Sequence, residues 1–433
     1  MQSEHRTSVL ERADVQAVQI YDTVVVGAGA AGIGAGTVLS EQGIDFAILE
    51  ASNRVGGRAF TDDTSLAVPW DHGCHWFHDA ENNPLVAWAD ALGVRYEKQT
   101  RIDHFAYWRD GAFCTPDLLR AARAATMGTY EAIDAAARTG RDAPLEDFID
   151  RETFWSEGVR AVLRTVAGQE PRLVSSLSFG GGDGDGGDWP LIDGYGTLFE
   201  KMARDLPIHL SCPVDQIEEK ETGVVLRAAG ARFYARTAIL TPSTNVLASG
   251  ALGLSKGPAK DVVDQLHVAP CGAYEKVAYC VPELPGEVRG KLFCMIDPGH
   301  GKPAFDVELI DGEQPLLLVH VSGDVASELA AEGKDALNAF TDNLLRLAFG
   351  QKFLDSVSGR AATSWTSNHW IQGSYSNPRP GMFQAYQNVL AQRTGRIKFA
   401  GEAFSRTAPS TAHGAFQSGC EAAKSCLRLI EGD

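Results

Sequence analysis

The sequence lacks any paired-cysteine motif. Its eight cysteines, Cys74, Cys114, Cys212, Cys271, Cys280, Cys294, Cys420 and Cys426, are scattered through 433 residues. None forms a C-x-x-C pair or sits with histidine at zinc-ligand spacing, which argues against a structural metal site. In a chain this long, scattered cysteines read as reduced thiols in a reducing compartment. Long apolar runs are missing too. No segment approaches 18 apolar residues, and residues 1–20 carry charges throughout with no apolar h-region, so neither a membrane span nor a secretory leader is expected. The chain reads as soluble and cytoplasmic. Basic charge is also scarce: Lys plus Arg is 39 against 56 Asp plus Glu, a net −17. Such a surface repels phosphate backbones and anionic membranes, which speaks against nucleic-acid and membrane partners. No internal repeat is present. Hydrophobic residues at 44% and charged residues at 22% describe an ordinary globular chain, long enough for two to three domains.

The first organised segment is Tyr21–Val26, a β-branched apolar run leading into Gly27-Ala-Gly29-Ala-Ala-Gly32. A helical stretch follows, then a second strand over 44–49 that ends in Glu50. This strand–glycine turn–helix–strand–acid order is a dinucleotide-binding unit. Gly27 permits the tight turn, Gly29 lets backbone approach a pyrophosphate, and Gly32 lets the helix pack on the strand. Glu50, 18 residues after Gly32, is placed to accept from ribose hydroxyls. Beyond it, Gly56-Gly57-Arg58 suits a backbone turn against a bound cofactor, with Arg58 available to a phosphate or a polar ring edge.

With these residues the chain resembles the flavin-containing amine oxidase family, which includes monoamine and polyamine oxidases. Five blocks carry the resemblance in order: 22–58, WDHGCHWFHDAENNPL (70–85), 192–226, CGAYEKVAYCV (271–281) and GRIKFAGEAFSRTAPSTAHGAFQSGCEAAKSCL (395–427). It implies an α/β fold: a discontinuous Rossmann-type FAD-binding domain (21–75, 191–262, 372–433) and an α+β substrate-binding domain (76–190, 263–371), after an N-terminal extension over 1–20.

The resemblance also implies roles for particular residues. Val214 would pair its backbone with adenine, Glu402 would contact the diphosphate–ribityl part of FAD, and the Thr411–Ala412 backbone would lie by the isoalloxazine. Lys276 would hold a water against flavin N5, and it is the strongest catalytic candidate, because lysine in the apolar strand AYEKVAYCV is expensive unless paired or functional. Tyr375 matches one of two aromatic rings that face the flavin; the other position is Thr411, so that cage is incomplete. Ser374 stands where some relatives carry the cysteine that binds flavin covalently, so FAD is expected to be non-covalent. His75 and His78 would border the substrate channel, with a structural role capping the loop as the rival reading. Trp365 and Trp370 flank the flavin-proximal block and either pack near the ring or belong to the ordinary core.

The rest of the chain fills this frame. Residues 117–137 read as an amphipathic helix, 323–350 as helical, and KLFCMI, AFDVELI and PLLLVHV as three strands of a sheet wall over the substrate. The run GGGDGDGGD (180–188) reads as a solvated loop, since no residue 12 positions along completes a calcium loop. The expected activity is oxidation of a primary or secondary amine, with O2 or another acceptor reoxidising the flavin. The alternatives are an L-amino acid oxidase, a desaturase, or an FAD-binding scaffold without turnover. A homodimer is one option for the assembly.

Overall fold

The computed structural model describes residues 20–98, 104–179 and 187–432. Most of the N-terminal extension and residues 180–186 of the Gly/Asp run lie outside them. Two sheets organise the chain. In the first, eight strands include a parallel core in which Ile20–Val26 lies between Phe46–Leu49 and Ala231–Leu240, and Ala231–Leu240 also pairs with Ile397–Phe399. Val24, Val25, Ile48, Leu49, Ile239 and Leu240 are almost wholly buried, as the continuous apolar run of a doubly covered parallel strand demands. The register sets Val26 beside Leu49 and Leu240, and Leu240 beside Phe399. Four strands therefore end at one level, and the residues that follow each of them meet in one crevice.

Two helices, Ala30–Glu41 and Ala412–Gly432, cross against this sheet. Their approach is very close. A Cβ on Gly34 would lie 2.3 Å from the Phe416 carbonyl oxygen, and one on Gly419 would lie 1.9 Å from that of Ala31. Small residues at the crossing bring both helix N-termini to the same crevice.

The second sheet runs in the order Gly359–Ala362, Tyr274–Cys280, Leu316–Ser322, Phe305–Ile310, Phe293–Asp297, Phe105–Arg109, Ala112–Phe113. Its three central strands are those expected over 291–322. Side chains alternate across it with period two. Val277, Tyr279, Val307, Leu309, Val319 and Val321 point into a core shared with Leu337, Leu344 and Leu345. The intervening residues, among them Lys276, Glu308 and His320, line the cavity on the other side. Helices Pro116–Arg138 and Ser156–Ala167 close a further wall. The segment expected to be helical over 323–350 is two helices, Gly323–Glu332 and Lys334–Phe349, separated by Gly333 at φ +100°. All eight cysteines are unpaired, and no helix among the described residues is long and apolar enough to cross a membrane.

Candidate active site

A cavity of about 1760 Å³ runs from the crevice of the first sheet to the polar face of the second. Ordinary small-ligand pockets span roughly 300–1,000 Å³, so this one has room for a large cofactor and a substrate together. Of the residues singled out from sequence, Gly27, Gly29, Glu50, Gly57, Arg58, His75, His78, Val214, Lys276, Trp365, Trp370, Tyr375, Glu402, Thr411 and Ala412 all line it. Gly32 lies behind the wall.

The glycines separate into two kinds. Gly27 has φ +102°, and a Cβ there would lie 2.4 Å from Thr241 Oγ1; on Gly32 it would lie 1.8 Å from the Gly27 carbonyl oxygen. Both are glycine because the protein leaves no room. Gly29 is different: its φ is −77° and a Cβ would meet nothing closer than 3.9 Å. Its bare backbone faces the cavity beside Gly56, with which it forms a bridge, and the helix it opens has no side-chain cap. An uncapped N-terminus opening onto a cavity suits an anionic group such as a diphosphate. The turn therefore fits a dinucleotide cofactor.

Glu50 is more occupied than expected. Its carboxylate accepts from Ala28 N (2.6 Å), Ser52 N (2.8 Å) and Ser52 Oγ (2.7 Å), so it braces the glycine turn as well as facing the cavity. Arg58 donates to Glu402 Oε1 (3.0 Å) and to the Ser374 carbonyl. Burial opposes its charge, but Glu402 outweighs burial and raises its pKa. Glu402 also accepts from Ser376 N and Oγ. A buried carboxylate is tolerable only when it is paired, and Arg58 supplies the cation. Thr411 Oγ accepts from Gly414 N–H (3.0 Å), capping the helix whose first residue, Ala412, opens onto the cavity. Val214 is buried at the start of its strand, where the pairing shifts register.

At the other end, Lys276 Nζ donates to the carbonyls of Gly73 (2.7 Å) and Asp71 (3.4 Å). Tyr375 donates its hydroxyl to the Thr165 and Val166 carbonyls; burial raises its pKa, so the phenol stays neutral. Trp365 is buried and donates Nε1 to the His72 carbonyl. Trp370 is not core: it is 39% exposed, stacked edge-on to His369 at the cavity rim. His78 is also at the rim, half exposed and bonded to Asp188 (2.7 Å). His75 is deep, with Nδ1 2.8 Å from Asp71 and Nε2 3.9 Å from Glu308. Burial opposes its charge, but Glu308 and Asp71 outweigh burial and raise its pKa.

Sequence reasoning missed three residues of this face. Glu308 accepts from Trp76 Nε1 (2.7 Å) and sits 3.3 Å from His320 Nε2, and His320 Nδ1 is 2.7 Å from the Tyr274 hydroxyl. The Tyr274 ring lies 6.3 Å from that of Tyr375. Burial alone would raise the Glu308 pKa, but His75, His320 and Lys276 hold it well below the carboxylate range. The argument that picked out Lys276, a polar residue in an apolar strand, applies equally to Glu308 in AFDVELI and His320 in PLLLVHV. No group of His, Cys, Asp and Glu among the described residues has a metal-binding arrangement.

The matching family model, Flavin containing amine oxidoreductase, covers residues 30–150 and 138–427. The chain belongs to this family of flavin-dependent amine oxidoreductases, and FAD is the cofactor for which the crevice is built. Among its relatives, a mouse lysine-specific histone demethylase 1B is 25% identical over 92% of this chain and 52% of its own length. A probable polyamine oxidase 4 from Arabidopsis thaliana is 24% identical over 94% of this chain and 87% of its own. The chain spans about half the length of the histone demethylases it matches. The fold is that of cyclohexylamine oxidase from Brevibacterium oxydans, at a TM-score of 0.80 and 21% identity over 95% of this chain and 99% of that one.

Proposed function

We propose that the protein oxidises a small primary or secondary amine at the carbon next to nitrogen, releasing an imine that water hydrolyses to an aldehyde or ketone. The observation that carries this reading is one cavity that joins a diphosphate-ready glycine turn to an aromatic and basic floor. Non-covalent FAD would lie along Gly27–Gly29, Glu50, Gly57–Arg58, Val214, Glu402 and Ala412, within a cofactor domain of segments 21–75, 191–262 and 372–433. Segments 76–190 and 263–371 would form the substrate domain. Bound flavin supplies the two-electron acceptor, and O2 restores it with release of H2O2.

The chain's own residues orient and select. Tyr375 and Trp365 offer apolar ring surface that favours the neutral amine, the form with the lone pair needed for oxidation. Lys276, fixed by the 71–73 loop, holds a donor toward a water at the reacting end. His75 and His78 would meet polar groups of the substrate, and Thr411, in place of a ring, leaves one side of the site wide. We place the enzyme in the cytoplasm. The test is to add a panel of monoamines, diamines, polyamines and amino acids anaerobically to the purified yellow protein. Loss of the visible flavin bands with one amine class supports the reading, and no reduction by any of them overturns it.

A further inference from the structure

Tyr274, His320 and Glu308 come from three adjacent strands of the second sheet. Pairing of the first two strands places Lys276 opposite His320 and Tyr274 opposite Ser322, so Tyr274 and His320 are diagonal neighbours on the cavity face, within reach of one hydrogen bond. Glu308 lies on the next strand, opposite Leu318. Trp76 Nε1 pins one carboxylate oxygen, and the other is 3.3 Å from His320 Nε2. Nε2 makes no hydrogen bond of good geometry, but the carboxylate 3.3 Å away favours the tautomer with its proton on Nε2, and in that tautomer Nδ1 accepts from the Tyr274 hydroxyl at 2.7 Å. His320 and Glu308 side chains are 7% and 3% exposed, so this line is shielded from bulk water except through the cavity.

We propose that this line accepts the proton of the substrate ammonium, with Tyr274 touching the amine and His320 acting behind it as the positioning residue. The proposal rests on the amine oxidase reading. In the step, an N–H bond of the ammonium breaks and its proton goes to the Tyr274 oxygen, while the original Tyr274 proton passes to His320 Nδ1. No electrons are transferred. The amine is left neutral, Tyr274 is again a phenol, and imidazolium stands between Tyr274 and the Glu308 carboxylate. The proton later leaves with the released amine product as ammonium.

The charged and titratable surroundings of His320 set its resting state. Burial, Lys276 across the strand pair and His75 from the 71–78 segment lower its pKa, against the pull of Glu308. The resting ring is therefore neutral, and the imidazolium formed in the step depends on the Glu308 carboxylate 3.3 Å away. His75 is backed by Asp71 at 2.8 Å, and Asp306 lies two residues before Glu308 on the same strand and also lines the cavity.

The test compares wild type, Tyr274→Phe and His320→Gln as holoenzymes, measuring flavin reduction by stopped flow from about pH 7 to 10. With an internal acceptor, the wild-type rate at low amine concentration is nearly flat across this range. Each variant must draw neutral amine from solution, so its rate rises about tenfold per pH unit and meets wild type near the amine pKa of ~10. The same slopes are expected in the affinity for tert-butylamine, which has no C–H beside nitrogen and cannot be oxidised, read from the shift of the flavin spectrum. Tyr274→Phe removes a single hydroxyl facing the cavity and carries the test if His320→Gln folds poorly. A wild-type profile that already climbs tenfold per unit, or variant profiles parallel to a flat wild type, overturns the relay while leaving amine oxidation standing. A wild-type flavin that no amine reduces overturns both.

Discussion

Replacing Gly32 with alanine is the sharpest perturbation of the cofactor end. The added Cβ would lie 1.8 Å from the Gly27 carbonyl oxygen and 2.9 Å from its carbon, whereas ordinary contact begins at 3.4 Å. The helix must therefore retreat by 3.4 − 1.8 = 1.6 Å, or the turn must yield. The turn is held by Gly27 N to the Leu49 carbonyl at 2.8 Å and by Ala28 N to Glu50, so neither side gives easily. Backbone overpacking of this kind costs about 1–3 kcal/mol, against a helix-propensity gain of at most ~1 kcal/mol. The net loss falls on the glycine turn that lines the cavity, so on the proposed placement of FAD its affinity should drop about tenfold or more. Gly36→Ala in the same helix is the control. Its Cβ would meet the side-chain tips of Ile48 at 2.8 Å and Leu206 at 3.1 Å, which can rotate away, so near-neutral stability is expected. Thermal melting of both apoproteins with FAD titration by fluorescence quenching measures the difference. A Gly32→Ala protein with wild-type melting and wild-type FAD affinity would refute the packing argument.

Four other outcomes follow. Lys276→Met leaves the part-buried Gly73 carbonyl without its donor, costing about 1 kcal/mol of stability, and should slow flavin reduction or reoxidation by roughly 10²-fold; separate stopped-flow traces of the two half-reactions show which. FAD should separate from the polypeptide on acid precipitation because Ser374 forms no thioether, and colour retained in the pellet contradicts this. Glu50→Ala strips acceptors from Ala28 and Ser52, so it should weaken FAD binding and lower the apoprotein melting temperature, while leaving the reduction rate of the remaining holoenzyme intact. Burial holds His72 and His413 at about 4, below the unfolded value of ~6.5, so the unfolded chain binds more protons between those pH values and stability is lost as pH falls from ~6.5 to ~4. Each ring contributes on the order of 3 kcal/mol; His413→Leu should flatten the slope of melting temperature against pH in this window, and an unchanged slope would refute its share.

The cofactor end was legible in the sequence because its parts are local. Gly27, Gly29, Gly32 and Glu50 lie within one strand–turn–helix–strand unit, so spacing alone reports their geometry. Even there, the bracing of the turn by Glu50 was hidden, since it depends on where the 50–52 backbone bends. Lys276 was legible as a polar residue in an apolar strand. Tyr274, Glu308 and His320 were not assembled, because they meet through strand register although Tyr274 and His320 are 46 positions apart in the chain, and register is set by packing rather than by spacing. Trp370 shows the converse: its aromatic composition pointed to packing, yet its segment runs along the rim.

The most direct measurement of the central claim is the stoichiometry of one anaerobic turnover. Holoprotein mixed with a limiting amount of the best amine from the panel should reduce one flavin per molecule of amine consumed. It should also release one aldehyde or ketone, together with one ammonia or smaller amine. Flavin reduction without a carbonyl product, or carbonyl formation without flavin reduction, would contradict amine oxidation in this cavity.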